Sequence, residues 1–210
     1  MALAKNINRI LTKLIVTAKN FKKTAYHHYG KHKFPILIFI YYSLIRINTF
    51  YLLGIDLLKD LPPHNLDHYY RVVKPSLEEL EKIREGKELP REFYYDRIFN
   101  IKTCYLAFKE DELAYIHWVL FKGDYNRFLI LGDKVAELNY NTTLKKFRGD
   151  KLMGKMVAYI CEDLKKSGFN KAVGVAHESN LPSIRATEIA GWQRMGVIRA
   201  WGPFNRRVKV

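Results

Sequence analysis

The sequence predicts an α/β protein: a central mixed β-sheet, preceded by a basic, apolar N-terminal extension. Three observations carry that prediction. From His68 onward, runs rich in Val, Ile, Tyr and Phe alternate with helical patterns in the order β-α-α-β-β-β-α-β-α-β-β. Residues 133–177 read strand, helix, strand, the pattern of a right-handed parallel crossover. Earlier residues are one-sided in charge: residues 1–55 hold nine Lys or Arg and no acid, within a chain of 210 residues and net charge +15. The expected division is an extension over residues 1–60 and a sheet domain over residues 61–210.

Each element has a local cause. Ile7, Ile10, Leu11, Leu14, Ile15 and Ala18 recur at helical spacing with lysines opposite, a basic amphipathic helix that "YHHYGKHKF" breaks. The 22 residues "FPILIFIYYSLIRINTFYLLGI" are long enough to span a bilayer but are interrupted by Arg46 and Asn48. Interfacial or core burial is the expectation there, and the Phe, Ile and Tyr content suits buried strands. "KDLPPHN" reads as a linker and "HYYRVVKP" as a strand ended by Pro75. Ser76 with Glu79 three residues on forms a capping box for the helix "SLEELEKIRE". Pro90 can open a second short helix through "REFYYDRIF". "KTCYLAFKEDELAYIHWVLF" is two strands around an acidic turn, and "KVAELNYNTT" is a third.

In "FRGDKLMGKMVAYICEDLKKSGF", which begins at Phe147, the residues Leu152, Met156, Ile160 and Leu164 share one helical face, and Gly168 stops the helix. "KAVGVAH" is a strand, "LPSIRATEIA" a helix stopped by Gly191, and residues 192–210 a closing pair of strands.

Several function classes are disfavoured. Cys104 and Cys161 are isolated thiols without metal or disulfide spacing, as suits a reducing, cytoplasmic setting. His27, His28 and His32 sit in a basic stretch without acids or thiols, so no metal site is implied. The apolar run from Phe34 starts late for a secretory leader, and no small-residue cleavage site follows it. The basic arm suits an anionic membrane surface or an acidic carrier protein; its aromatics match no groove-reading motif, so nucleic acid is disfavoured.

The strand and helix order, with "FRGDKLMGKMVAYICEDLKKSGF" leading to "NLPSIRATEIAGWQRMG", resembles the GCN5-related N-acetyltransferase (GNAT) superfamily over roughly two-thirds of the chain, residues 67–207. The second region of the family pattern is present as Asn180, Pro182, Ser183, Ile184 and Arg185, then Gly191-Trp192. The first signature, Arg/Gln-x-x-Gly-x-Gly/Ala, is altered: Arg148 takes its first place, but Lys151 and Met153 stand at the two small positions. A helix start presents unsatisfied N–H groups and a partial positive charge, where a pyrophosphate can settle and glycine allows close approach.

The resemblance implies an acyl-CoA co-substrate, with Arg148, Gly149, Asp150, Lys151, Leu152, Met153 and Gly154 at the phosphate turn and Asn180 and Ser183 at the second helix. It places the acyl arm between "VAELNYNTT" and "AVGVAHESN", with a carbonyl-polarising N–H from around Leu138 to Tyr140. Thr187 occupies the place of the family's frequent tyrosine acid, so that role is not inherited; Tyr140 is a substitute acid. Glu137 and His177 are candidate bases, Glu137 because a carboxylate in a buried strand can face a cleft and His177 because it ends the strand after the crossover helix. A paired or solvated carboxylate and a loop histidine bonded to backbone are the competing readings of these two. His117, beside Trp118, reads as a sheet residue. The function implied is an N-acyltransferase moving an acyl group, acetyl in the first instance, from acetyl-CoA or another acyl-CoA to a small-molecule or lipid-linked amine. Two alternatives stay open: acyl-carrier protein as donor to an amine such as an amino acid, and a non-catalytic module binding lipid or a partner protein.

Overall fold

A computed structural model describes residues 33–41, 45–201 and 206–210. The amphipathic helix expected over residues 6–23 lies outside them. The described residues fall into two compact units, one comprising residues up to 48 with 199–201, the other residues 49–198 with 206–210. In the first, Pro35 sits in the opening turn of a six-residue helix, α1 (Pro35–Ile40), where its missing N–H is no loss. Among the described residues, no helix is long and apolar enough to cross a membrane.

The order expected from residue 68 onward is present, with one short addition. It runs β2 (Tyr70–Val73), α2 (Leu77–Arg84), a 3-10 turn (Arg91–Tyr94), α3 (Tyr95–Phe99), β3 (Thr103–Lys109) and β4 (Glu112–Leu120). A two-residue β5 (Leu129–Ile130) precedes β6 (Val135–Thr143). Then come α4 (Leu152–Lys166), β7 (Lys171–His177), α5 (Leu181–Ile189), β8 (Gln193–Trp201) and β9 (Val208–Lys209). Ser76 caps α2 through a reciprocal pair of bonds with Glu79, as the spacing predicts. Leu152, Met156, Ile160 and Leu164 are all buried along α4.

Two expectations about the ends of the chain are corrected. Residues 47–56, assigned above to the extension, form β1 (Ile47–Asp56), an interior strand of the sheet. The sheet order is β2-β3-β4-β6-β7-β1-β8. β1 runs antiparallel to β7, from Phe50 opposite His177 to Asp56 opposite Lys171. Leu52 and Leu53 are buried in it, which accounts for an apolar run that composition left between interface and core. The boundary at residue 60 therefore falls beyond a strand of the sheet. The closing pair of strands also separates: β9 leaves β8 and pairs in parallel with β5.

The feature that positions the site is a fork. β6 and β7 pair in parallel only through Val135–Lys171, Ala136–Ala172 and Glu137–Val173. Beyond that rung they part. Gly174 marks the crotch, where a Cβ would meet the Leu138 carbonyl oxygen at 2.9 Å and the Trp192 ring at 3.3 Å. Backbone on one side and a buried indole on the other leave no room to relax. Gly174→Ala should therefore lower the unfolding free energy in urea by about 1–3 kcal/mol, with no change in the slope of the transition.

Candidate functional site

A cavity of about 230 Å³ occupies the fork. Leu138, Asn139, Tyr140 and Asn141 of β6 line one side, and Gly174, Val175 and Ala176 of β7 the other. Met153 and Val157 of α4 and Asn180, Ser183 and Thr187 at α5 close it from the helix side, while Glu92, Tyr95 and His117 complete the wall.

β6 is bent where it meets the cavity. Ile116 pairs with Thr142, but Trp118 pairs with Asn139, so β6 carries one extra residue at this point. Tyr140 takes up the irregularity with φ of 52°, a left-handed conformation rare outside glycine. Its ring lies 4.9 Å from Tyr95 and 5.3 Å from Phe99, centroid to centroid. Burial pushes the Tyr140 phenol up to about 12, so it keeps its proton at neutral pH. Its backbone N–H donates to Asn139 Oδ1 at 2.8 Å.

Glu137 stands at the last paired rung and is wholly buried. It does not line the cavity. Asn126 Nδ2 donates to Oε2, and Asn139 Nδ2 donates to Oε1 at 2.8 Å. Asn126 in turn accepts the N–H groups of Phe128 and Leu129 at 3.0 and 2.9 Å. The carboxyl group thus holds Asn139, and through it the Tyr140 N–H, in place. Burial raises its pKa to about 7 against the lowering effect of the two amides. His177 is also outside the cavity: its Nδ1 lies 2.7 Å from Ser179 Oγ and accepts the Ser179 N–H at 3.2 Å. Neither candidate base therefore lines the cavity, whereas Tyr140 does.

The turn before α4 takes a left-handed backbone at two positions. Gly149 has φ of 110° and Lys151 φ of 54°, so Lys151 adopts at the N-cap the conformation a glycine would take freely. The helix begins at Leu152, four residues after Arg148, rather than at the Arg-Gly pair. The first bonds of α4 run from Gly154 and Lys155 back to the Lys151 carbonyl. Among the described residues, nothing accepts the N–H groups of residues 149–153. Arg148 Nε donates to the Thr143 carbonyl at 3.2 Å.

Asp150 turns away to Lys109 Nζ and Tyr70 OH, both at 2.9 Å, and Lys109 holds its carboxyl below the usual carboxylate range. Leu152 is core, and Gly154 lets the Ala186 carbonyl approach to within 3.2 Å of where a Cβ would stand. Of the residues implied for the cofactor, Leu138, Tyr140, Met153, Asn180 and Ser183 line the cavity. Asn180 also caps α5, accepting the Ser183 N–H at 3.4 Å. The Thr187 hydroxyl bonds back to the Ile184 and Ser183 carbonyls at 2.8 and 3.1 Å.

Glu92, Tyr95, His117, Asn139 and Asn141 were not singled out as site residues by sequence. Glu92 and Tyr95 arrive on short elements locked by Arg84, which is buried and binds Asp96 through both nitrogens, at 2.7 and 2.9 Å, and the Phe93 carbonyl at 2.8 Å. Trp118 Nε1 donates to the Glu92 carbonyl at 2.7 Å.

No family profile and no curated protein matches this chain. Solved structures do. A protein described as a GNAT-family acetyltransferase from Novosphingobium aromaticivorans superposes with a TM-score of 0.54 at 14% identity, over 74% of this chain and 64% of that one. A GCN5-related glucosamine N-acetyltransferase region of a fungal multi-domain β-N-acetylglucosaminidase gives 0.55 at 14% identity, over 73% of this chain and 21% of that one. A GNAT-family acetyltransferase from Colwellia psychrerythraea gives 0.52 at 10% identity, over 78% and 59%. The chain thus spans less than two-thirds of each of these proteins. The fold is that of the GNAT superfamily, as the motifs implied.

The buried carboxyl at the fork makes stability depend on pH. Glu137 ordinarily titrates near 4.5 and here near 7, so between those values the folded state keeps a proton that the unfolded chain releases. Its contribution is fully present below the lower value and lost as pH rises through the upper, a decline of about 3 kcal/mol. Glu137→Gln should flatten that part of the stability-versus-pH curve, measured by urea unfolding from pH 4.5 to 8.

Proposed function

We propose that this chain is an acyl-CoA-dependent N-acyltransferase, moving an acyl group, acetyl in the simplest case, from the thioester to an amine. The parting of β6 and β7 beside an amide-rich turn is the observation that carries this reading. An open fork between two parallel strands leaves backbone groups that an extended pantetheine-like arm can meet. The cavity at the fork takes the thioester end. The N–H groups of residues 149–153 are directed at the pyrophosphate, with the Arg148 and Lys151 charges adding attraction.

Transfer forms a C–N bond and breaks the C–S bond. The amine's lone pair attacks the thioester carbon, the C–S electron pair leaves on sulfur, and the amine gives up a proton. Glu92 is the carboxylate lining the cavity and receives that proton. The Tyr140 phenol, still protonated at neutral pH, donates to the departing thiolate. Glu137 acts at one remove, holding Asn139 against the bulge.

Acetyl-CoA should bind the purified full chain in calorimetry, and thiol release with an amine panel should exceed the amine-free rate. Absence of binding by any CoA thioester would overturn the reading in favour of a module that binds lipid or protein. Lys151→Gly keeps the left-handed turn and removes a charge, so the CoA dissociation constant should rise about three- to tenfold, more at low salt. A tighter complex would mark the lysine as an obstruction instead.

A further inference from the structure

At the fork, one backbone donor is taken by a side chain of its own strand. Tyr140 lies outside both ladders: pairing with β4 passes from Asn139 to Thr142, and pairing with β7 ends at Glu137. A backbone N–H that neither neighbouring strand accepts needs another partner in a protein interior. Asn139 provides one, accepting the Tyr140 N–H at Oδ1 over 2.8 Å.

The buried carboxyl group fixes which way that amide faces. Asn139 Nδ2 donates to Glu137 Oε1 at 2.8 Å, and Asn126 holds the other carboxyl oxygen. With Nδ2 committed there, the amide oxygen is the atom left for the Tyr140 N–H. The bond is nonetheless exchangeable. Asn139 is half-buried and lines the cavity, so its oxygen can withdraw without opening the core. No ladder bond has to break for it to go, because both ladders pass Tyr140 by.

A thioester carbonyl calls for the same donor. Attack by an amine pushes negative charge onto that oxygen, and a fixed backbone N–H stabilises it where water is excluded. An acyl carbonyl entering the fork therefore competes with the Asn139 amide oxygen for one N–H. A thiol or a thioether has no such oxygen and leaves the internal bond intact.

Resting on the acyltransferase reading, we propose that Asn139 sets donor selectivity: its side-chain oxygen stands in for the thioester carbonyl on the Tyr140 N–H, yields it to acyl-CoA, and reclaims it when CoA remains. Displacement cancels the affinity that the carbonyl would add, so acyl-CoA gains little over CoA on binding. The return of Asn139 after transfer restores the resting fork while CoA is still bound.

The test uses the purified full chain with acetyl-CoA, CoA and S-ethyl-CoA, the thioether in which a methylene replaces the carbonyl. In calorimetry the wild-type protein should bind acetyl-CoA and S-ethyl-CoA within about twofold of each other, since one hydrogen bond is exchanged for another. Asn139→Ala should tighten acetyl-CoA about three- to tenfold, the worth of one net hydrogen bond, and leave CoA and S-ethyl-CoA within about twofold of their wild-type values. A purely structural role would move all three ligands together. A second measurement needs no variant: in the wild-type protein acetyl-CoA should shift the Asn139 side-chain amide 15N signal, and S-ethyl-CoA should not. A common shift of all three affinities, an acetyl-CoA complex no tighter in Asn139→Ala, or an Asn139 signal indifferent to the carbonyl each overturns the proposal. Should Asn139→Ala not fold, the wild-type signal decides alone. Binding of none of the three by the wild-type protein defeats the acyltransferase reading, and the proposal falls with it. A failure confined to the difference between acetyl-CoA and S-ethyl-CoA defeats the proposal alone.

Discussion

The site depends on a parallel strand pair that stops after three rungs. At the last rung sits Glu137, a carboxyl without solvent contact, held by Asn126 and Asn139. Continued pairing would close the cavity, and an open edge in a protein interior would leave backbone groups unmet. The bulge at Tyr140 resolves that conflict locally, bending β6 out of the ladder while Asn139 occupies the freed N–H. Burying the carboxyl is costly, as its raised pKa records. It ties the loop through Asn126, the strand and the bulge into one unit.

The wall opposite is assembled from elements too short to be stable alone. The 3-10 turn and α3 together cover nine residues and cannot form without tertiary support. Arg84 supplies it by reaching from α2 to the Phe93 carbonyl and the Asp96 carboxylate, and Trp118 grips the Glu92 carbonyl from the sheet. Breaking a buried pair of this kind leaves a bare charge in the interior, so the wall is rigid by construction. That wall fixes Glu92 and His117 at the cavity.

The turn before α4 holds a residue other than glycine in a left-handed conformation. Lys151 stands at a glycine position of the resembled pattern and still takes a positive φ, at a cost of about 1 kcal/mol. The surrounding structure imposes this conformation: Leu152 is buried immediately after it, and Asp150 is held by Lys109 and Tyr70 before it.

The sequence by itself determined the local elements: the capping box at Ser76, the buried stripe from Leu152 to Leu164, the crossover and the Asn180 cap. Each follows from interactions within a few residues, and so does the turn that opens α4. It also showed an unusual carboxylate at Glu137, but not whether that group faces a ligand or two amides, because Asn126 and Asn139 meet it only in the folded sheet. Tertiary structure alone decided three further matters. β1 could not be told from an interfacial segment, since a strand buried between β7 and β8 and a membrane-facing helix have the same apolar content. Glu92 reaches the cavity through an indole 26 residues away in sequence. His117 gains its place from a bulge in a strand more than twenty residues later, and from Tyr115 occupying its other nitrogen. Pairing register and burial are properties of the whole sheet, and no window of the chain contains them.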